Sequence, residues 1–399
     1  MVRTNKDFKK LRNSDKILFV SHDANRAGAQ LFLLNVMQYL AKQGQEMHLL
    51  LLGGGVLEKD FQAICEVSFF PTKAESSNNI LKKFIKNADN EYNKQIESLG
   101  KNLQSQHFSK VYLNTIATAW VTNFIKQYTQ ANIITHIHEL EFSLLMYSSL
   151  ENRQKMFQNS AKIIACSNAV GENLIKKHQV PSNKVVTIHS FVENDSVLEK
   201  AKNSSKEAIK QKYNLPLNTI LVGACGNAEW RKGLDLFVMM AKKVSDISDK
   251  SVHFVWIGVK PEGDFYEKVQ YEIERLGNES KLHLIPPTPD AVEIVNALDI
   301  FTLTSREDPF PLVMLEAALC QKPIVGFDKT GGCSEFVEAD AGFVVPYIDI
   351  ETMATKISEL IDNESLRISL GKKAQEKVLN IYNFENSIKK ILNELAMDN

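Results

Sequence analysis

Short apolar runs, each followed by a polar turn and a helical period, recur along almost the whole chain. Residues 16–20, K-I-L-F-V, form the first buried-strand pattern; Ser21-His22-Asp23 follows, then a loop over 24–30 and a helix with Leu33, Leu34, Met37 and Leu40 on one face. Residues 47–52, M-H-L-L-L-L, are the next strand and run into Gly53-Gly54-Gly55. Strand, loop, helix and strand make a βαβ unit, which builds parallel sheets and puts ligand sites at the strands' carboxyl ends. The alternation continues through strands at 110–113, 132–137, 162–166 and 185–190 and pauses over the charged, apolar-poor stretch 194–216. It restarts at 219–225 and proceeds through 253–257, 282–285, 300–303, 323–326 and 343–346. Two successive repeating halves predict an α/β protein: two Rossmann-like, doubly wound domains facing each other across a cleft. The expected divisions are a first domain over 1–195, a linker over 196–215, a second domain over 216–375, and a C-terminal helix over 376–399 packing back towards the first. A length of 399 residues agrees, being too long for one ordinary core.

Composition narrows the function. Hydrophobic content of 44% and charged content of 24% are those of a soluble globular protein. A net charge of −1 gives no overall reason to expect a nucleic-acid binder. The charge is divided unevenly: residues 1–195 carry 23 Lys and Arg against 17 Asp and Glu, a balance of +6 that leaves −7 for the remainder. A basic first half suits an anionic acceptor or a membrane surface. Within it, residues 80–86 (I-L-K-K-F-I-K) read as a short amphipathic helix whose Lys82, Lys83 and Lys86 either face solvent or touch a membrane. The five cysteines are far apart with no C-x-x-C spacing, as expected of reduced thiols in a cytoplasmic protein. The first residues are polar and basic without the apolar centre of a signal peptide, and no apolar run approaches a membrane span.

Chemistry concentrates at strand ends. The loop after the first strand is not G-x-G-x-x-G, and no acid ends the second strand, which excludes an NAD-type site. Residues 305–323, S-R-E-D-P-F-P-L-V-M-L-E-A-A-L-C-Q-K-P, contain an apolar helix interrupted by one carboxylate, Glu316. Pro311 falls at the first helical position and Asp308 reads as a cap or ligand. Two readings stay open: a core helix whose Glu316 pairs with a buried Arg or Lys, or a ligand site joining free helix-end N–H groups to two acids. In the same half, G-N-A-E-W-R-K-G (226–233) places Arg231 and Lys232 at a strand's carboxyl end, either as a solvated basic loop or as cations for a polyphosphate. Acids for sugar hydroxyls and cations for a diphosphate together make a coherent nucleotide-sugar site. In the first half, T-H-I-H-E (135–139) points His136 and His138 to one face; no third and fourth metal ligand follow at a suitable spacing, so a His acting on substrate or a structural His is expected. Thr330-Gly-Gly-Cys-Ser-Glu335 is a further glycine loop suited to close approach of backbone to ligand.

D-P-F-P-L-V-M-L-E-A, followed by K-P-I-V-G-F, T-G-G-C-S-E and A-G-F-V-V-P, resembles the retaining glycosyltransferases of family 4, which have the GT-B fold. The upstream stretches S-H-D-A-N-R-A-G-A-Q, N-T-I, H-I-H-E-L-E, A-C-S-N-A-V and W-R-K-G-L-D fall in the family's order, so the resemblance covers roughly 16–395. It implies a metal-independent, cofactor-free hexosyl transfer from a nucleoside-diphosphate sugar, with a UDP-sugar favoured and a GDP-sugar as the other choice. The acceptor implied is a hydroxyl of a glycan or lipid-linked molecule in cell-envelope polysaccharide or glycoconjugate synthesis, reached in the cytoplasm or at the membrane's inner surface. Glu316 would hold the donor ribose and Asp308 the donor sugar; Phe310, Pro311 and Leu312 would lie against sugar and diphosphate. Lys232 would bind the diphosphate with Arg231 supplying a second charge, and Gly28 and Ala29 would approach it from the first domain. Gly331, Gly332 and Glu335 complete the implied donor set, and His138 would stand near the reacting carbon. Departures are Asn227 for the family's Arg, Asp308 for its usual Glu, Glu139 for an Asp, and Pro309 and Pro311 for glycines, which removes backbone donors. Other classes compatible with these residues are a non-catalytic sugar-nucleotide binder and a GT-B-like epimerase.

Overall fold

The computed structural model describes residues 16–73 and 82–397, the side chains of 82–89 excepted. These form two units: one from residues 16–166, 170–188 and 388–397, the other from 167–169 and 189–387.

The first unit holds a seven-stranded sheet of β1 (Ile17–Ser21), β2 (Met47–Leu51), β3 (Glu66–Phe69), β4 (Lys110–Asn114), β5 (Asn132–Ile137), β6 (Ser160–Ala165) and β7 (Val185–Thr187), in the order β3-β2-β1-β4-β5-β6-β7. Every pairing is parallel. Helices on the faces bury β1, β2 and β4 along their whole length, which is why those strands read as continuous apolar runs and not as alternations. β3 is an exposed edge strand whose sequence, E-V-S-F, carries no such run. The basic helix expected over 80–86 falls partly outside the described residues: 82–86 begin the helix Lys82–Ser105, while residues 80–81 and the side chains concerned lie beyond the description.

The second unit holds a six-stranded parallel sheet of β8 (Ile220–Cys225), β9 (Val252–Ile257), β10 (Leu282–Ile285), β11 (Ile300–Leu303), β12 (Ile324–Phe327) and β13 (Gly342–Val345), ordered β10-β9-β8-β11-β12-β13. Its core joins Phe237, Phe254, Trp256, Phe327 and Ile357. Each fully buried side chain of this size contributes about 1.5–3 kcal/mol. In both sheets strand order reverses once, between β1 and β4 and between β8 and β11. Such a reversal opens a crevice beyond the carboxyl ends, where open α/β sheets bind ligands.

The stretch 196–215, where the linker is expected, holds most of the helix Asn194–Asn203 and all of Lys206–Lys212, the second capped by Ser205 Oγ accepting from Ala208 N–H at 3.2 Å. Buried Val197 and Leu215 anchor the segment, and Asn296 Nδ2 donates to Ala201 O at 2.9 Å and to Ser204 Oγ at 3.1 Å. So few apolar residues leave no visible helical period. One expectation needs correction: Pro311 is not the first helical residue but an extended N-cap (ψ 118°) of the helix Leu312–Leu319, and no side chain caps it.

Candidate functional site

In the second unit, β8 ends at Cys225 and its loop returns through a single turn, Trp230–Lys232, to Gly233. Gly233 has φ 72°, and a Cβ there would stand 2.0 Å from the Thr304 carbonyl oxygen, so this contact with the end of β11 admits only glycine. Thr304 Oγ1 donates to Gly233 O at 2.8 Å, and Arg306 N–H donates to Arg231 O at 2.7 Å. Two loops flanking the sheet's reversal point are thereby stitched together.

The stitching brings Lys232 Nζ to 2.6 Å from Asp308 Oδ2. Asp308 is buried, and its carboxylate also accepts from Ser305 Oγ at 3.3 Å. Its backbone is pinned as firmly: Asp308 N–H donates to Thr330 O at 2.7 Å, and Gly332 N–H to Asp308 O at 3.2 Å. The 330–332 loop therefore lies along 308–310, and a Cβ on Gly332 would meet the Phe310 ring at 2.3 Å. Phe310 is buried beside the rings of His189 and Tyr382, with centroids 5.0 and 5.4 Å away. Pro311 is buried next to it, and Leu312 opens the helix that carries Glu316.

Glu316 has no hydrogen bond or ion pair among the described residues, which removes the reading in which it pairs with a buried Arg or Lys. Burial pushes its carboxyl up to about 7, with only the charge of Lys200 acting against it. Burial and the nearby Glu316 charge hold the Cys225 thiol up at about 12, which puts Glu316 beside the carboxyl end of β8. An unsatisfied acceptor in such a place costs free energy until a donor, such as a hydroxyl, arrives.

The remaining residues of the implied donor set are differently engaged. Arg231 does not join Lys232: its Nε lies 3.1 Å from Glu229 Oε2 on its own turn. Glu335, in the first turn of Gly332–Val337, has its carboxylate 3.0 Å from His189 Nε2. Arg306, which pattern reading passed over, forks onto Asp235 at 2.9 and 2.6 Å and lies over the Trp230 ring at 4.9 Å, bracing the Lys232 turn.

The first unit has its own cluster at the reversal between β1 and β4. His138 Nε2 lies 3.0 Å from Asn114 Oδ1, and its ring stacks on that of His136 with centroids 3.9 Å apart. Burial, then the charge of His22, hold the His138 imidazole down at about 3, so it is neutral at ordinary pH. His136 is turned into the core with Nδ1 against Tyr112 Oη. Glu139 accepts from the N–H groups of Ile116 (3.2 Å) and His138 (2.9 Å), and burial lifts its carboxyl to about 7. Residues outside the expected set complete the cluster: His22 Nε2 accepts from Gln30 at 3.1 Å, and its Nδ1 lies 3.1 Å from Thr115 Oγ1. Thr115 is held at φ 74°, a strained conformation for a β-branched residue. Gly28 begins a 15-residue helix with no side-chain cap, and Asn114 Nδ2 donates to Ala29 O at 3.1 Å. Among the described residues no helix is long and apolar enough to cross a membrane.

Residues 26–196 match the model of Glycosyltransferase Family 4, and residues 205–377 match that of Glycosyl transferases group 1. The chain is similar to the poly(ribitol-phosphate) α-N-acetylglucosaminyltransferase of Staphylococcus aureus, at 29% identity over 43% of this chain and 34% of that protein. It is also similar to the N,N'-diacetylbacillosaminyl-diphospho-undecaprenol α-1,3-N-acetylgalactosaminyltransferase of Campylobacter jejuni, at 28% identity over 44% of each chain. The chain thus spans about a third to a half of these curated relatives. In fold it is similar to Anabaena HepE solved with UDP and glucose, with a TM-score of 0.77 and 19% identity over 96% of this chain and 100% of that one.

Proposed function

We propose that this chain, which belongs to the family 4 glycosyltransferases of GT-B fold, moves a sugar from a nucleoside-diphosphate sugar to a hydroxyl of a glycan or lipid-linked acceptor. The observation that carries the reading is the constellation at the β8–β11 reversal: a lysine, a buried aspartate 2.6 Å from it, and an unpaired glutamate on the adjoining helix. Glu316 takes the ribose hydroxyls, which supply the donors it lacks. Lys232 exchanges Asp308 for the diphosphate, and Asp308, released, accepts from the sugar's hydroxyls. As the sugar leaves, negative charge grows on the diphosphate, and a fixed ammonium beside it lowers the barrier where that charge develops. The family resemblance alone assigns His138, Gly28 and Ala29 a part in the same reaction. The neutral imidazole accepts or donates a hydrogen bond and carries no charge.

The reaction on this reading retains anomeric configuration and needs no metal. A UDP-sugar is the favoured donor, supported by the UDP and UDP-glucose complexes of HepE, with a GDP-sugar as the other choice. Cell-envelope glycan acceptors are supported by the names of the relatives, and the basic balance of residues 1–195 suits an anionic or lipid-linked one at the inner membrane surface. Five unpaired cysteines suit the reducing cytoplasm. Incubation with labelled UDP- and GDP-sugars and a panel of envelope glycan acceptors tests the proposal. Acceptor-dependent release of nucleotide, lost in Lys232→Ala and Glu316→Ala, is the expected result. Saturable donor binding with no release from any pair would favour a non-catalytic binder, a reading supported by the diversion of Arg231 to Glu229 and by prolines at 309 and 311.

A further inference from the structure

The end of the second sheet opposite the Lys232–Asp308 site carries a pocket of about 510 Å³ at the amino ends of β11 and β12. That volume lies within the ~300–1,000 Å³ usual for small-molecule sites. Lys202, Lys206, Lys322 and Arg367 line it, against two acids, Asp299 and Glu364. Asp299 is already engaged, accepting from the Leu221 N–H at 2.8 Å. Lys202 and Lys206 form no ion pair among the described residues.

Lys322 is only 5% exposed, and its ammonium, with three donors, reaches one carbonyl, that of Asn296 at 2.8 Å. Burial, and then repulsion by the like charge of Lys206, push it down to about 7. The fold thus gathers cations into a concave, low-dielectric place without supplying their counter-charge. Arg367 spends one arm of its fork on the carbonyls of Leu360 (2.7 Å) and Ile361 (3.2 Å), which fixes the plane of the guanidinium beside the lysines. Several ammonium groups beside an oriented guanidinium match the many oxygens of a phosphate better than the two of a carboxylate.

We propose that this pocket binds a small phosphate-bearing molecule through Lys202, Lys206, Lys322 and Arg367. The volume left around the cations accommodates the body to which the phosphate is attached. The site lies at the opposite ends of the strands from the proposed donor site, and its occupation does not depend on the sugar-transfer reading.

The test is titration of the full chain with inorganic phosphate against sodium chloride of matched ionic strength, followed by unfolding midpoint and by calorimetry. Phosphate should raise the midpoint saturably, since a ligand of the native state stabilises it in proportion to its occupancy. In Lys202→Gln/Lys206→Gln, both exposed positions, affinity should fall at least tenfold while the midpoint without phosphate does not fall below the parent value. Lys322→Met should behave likewise if it folds; the double variant decides the matter whether or not it does. Lys232→Ala, at the other ends of the strands, should start from a lower midpoint because it leaves Asp308 without its cation, yet gain the same shift with phosphate as the parent. Phosphate no better than chloride, equal binding by the double variant, or loss of binding in Lys232→Ala would each overturn the proposal.

Discussion

Glu316→Gln separates what the carboxylate costs the fold from what it does for a ligand. Free in an unfolded chain, a glutamate ionises near 4.5; in the folded protein Glu316 is held at about 7 by burial. A folded-state value above the unfolded one means that folding favours the protonated form. Its effect on stability is therefore nil well below pH 4.5, grows unfavourable as pH rises from 4.5 to 7, and is constant above 7. At 1.36 kcal/mol per unit the full penalty is about 3 kcal/mol, and residual solvent contact reduces it to about 1–2 kcal/mol. Glutamine keeps the shape and removes the charge. Urea unfolding of parent and variant should give equal stability at pH 4.5 and an advantage of about 1–2 kcal/mol to Glu316→Gln at pH 8. At pH 8 the same variant should bind a nucleoside diphosphate about 10–100-fold more weakly, the ordinary worth of hydrogen bonds to a charged acceptor. A variant less stable than the parent at pH 8, or a difference that does not change with pH, would show that Glu316 is compensated within the fold and refute the reasoning.

Lys232→Met should destabilise by about 3 kcal/mol in urea unfolding because it leaves the buried Asp308 with Ser305 alone, and Lys232→Met/Asp308→Asn should recover much of the loss. Gly332→Ala sets a methyl 2.3 Å from the Phe310 ring and 2.8 Å from the Pro309 carbonyl. It should cost about 1–3 kcal/mol and lower turnover more than donor affinity, as read from kcat and KM. With its imidazole held down at about 3, His138 should leave no inflection near pH 6.5 in the rate of transfer, and His138→Gln should lower kcat without shifting the profile.

The parallel sheets were plain in the sequence because helices on both faces leave their strands apolar throughout, as in β2 and β12. The edge strand Glu66–Phe69 and the helices over 194–212 were not, since half-exposed elements with one or two anchors carry too weak a period. The acid-to-glutamate spacing of 308 and 316 is a local pattern and could be read directly. The partnership of Lys232 with Asp308, 76 residues apart, is made by two loops meeting at the strand reversal and exists in no local window. The same holds for Arg306 on Asp235, 71 residues away, and for His22 against Thr115, 93 residues away. Residue types announce chemistry; which of them are spent on each other is decided by topology. Arg231, read as a free cation and found on Glu229, shows the difference.

Residues 388–397 belong to the unit built by 16–166 and 170–188, and Lys110 Nζ donates to the Met397 carbonyl. During synthesis the first unit therefore waits for its last piece until the whole second unit has been translated. At roughly 5–20 residues per second that delay is on the order of ten to forty seconds. For that time the surface that 388–397 will cover stays open to water, to chaperones and to neighbouring chains, so expression yield should respond to changes in this short segment far more than its size suggests.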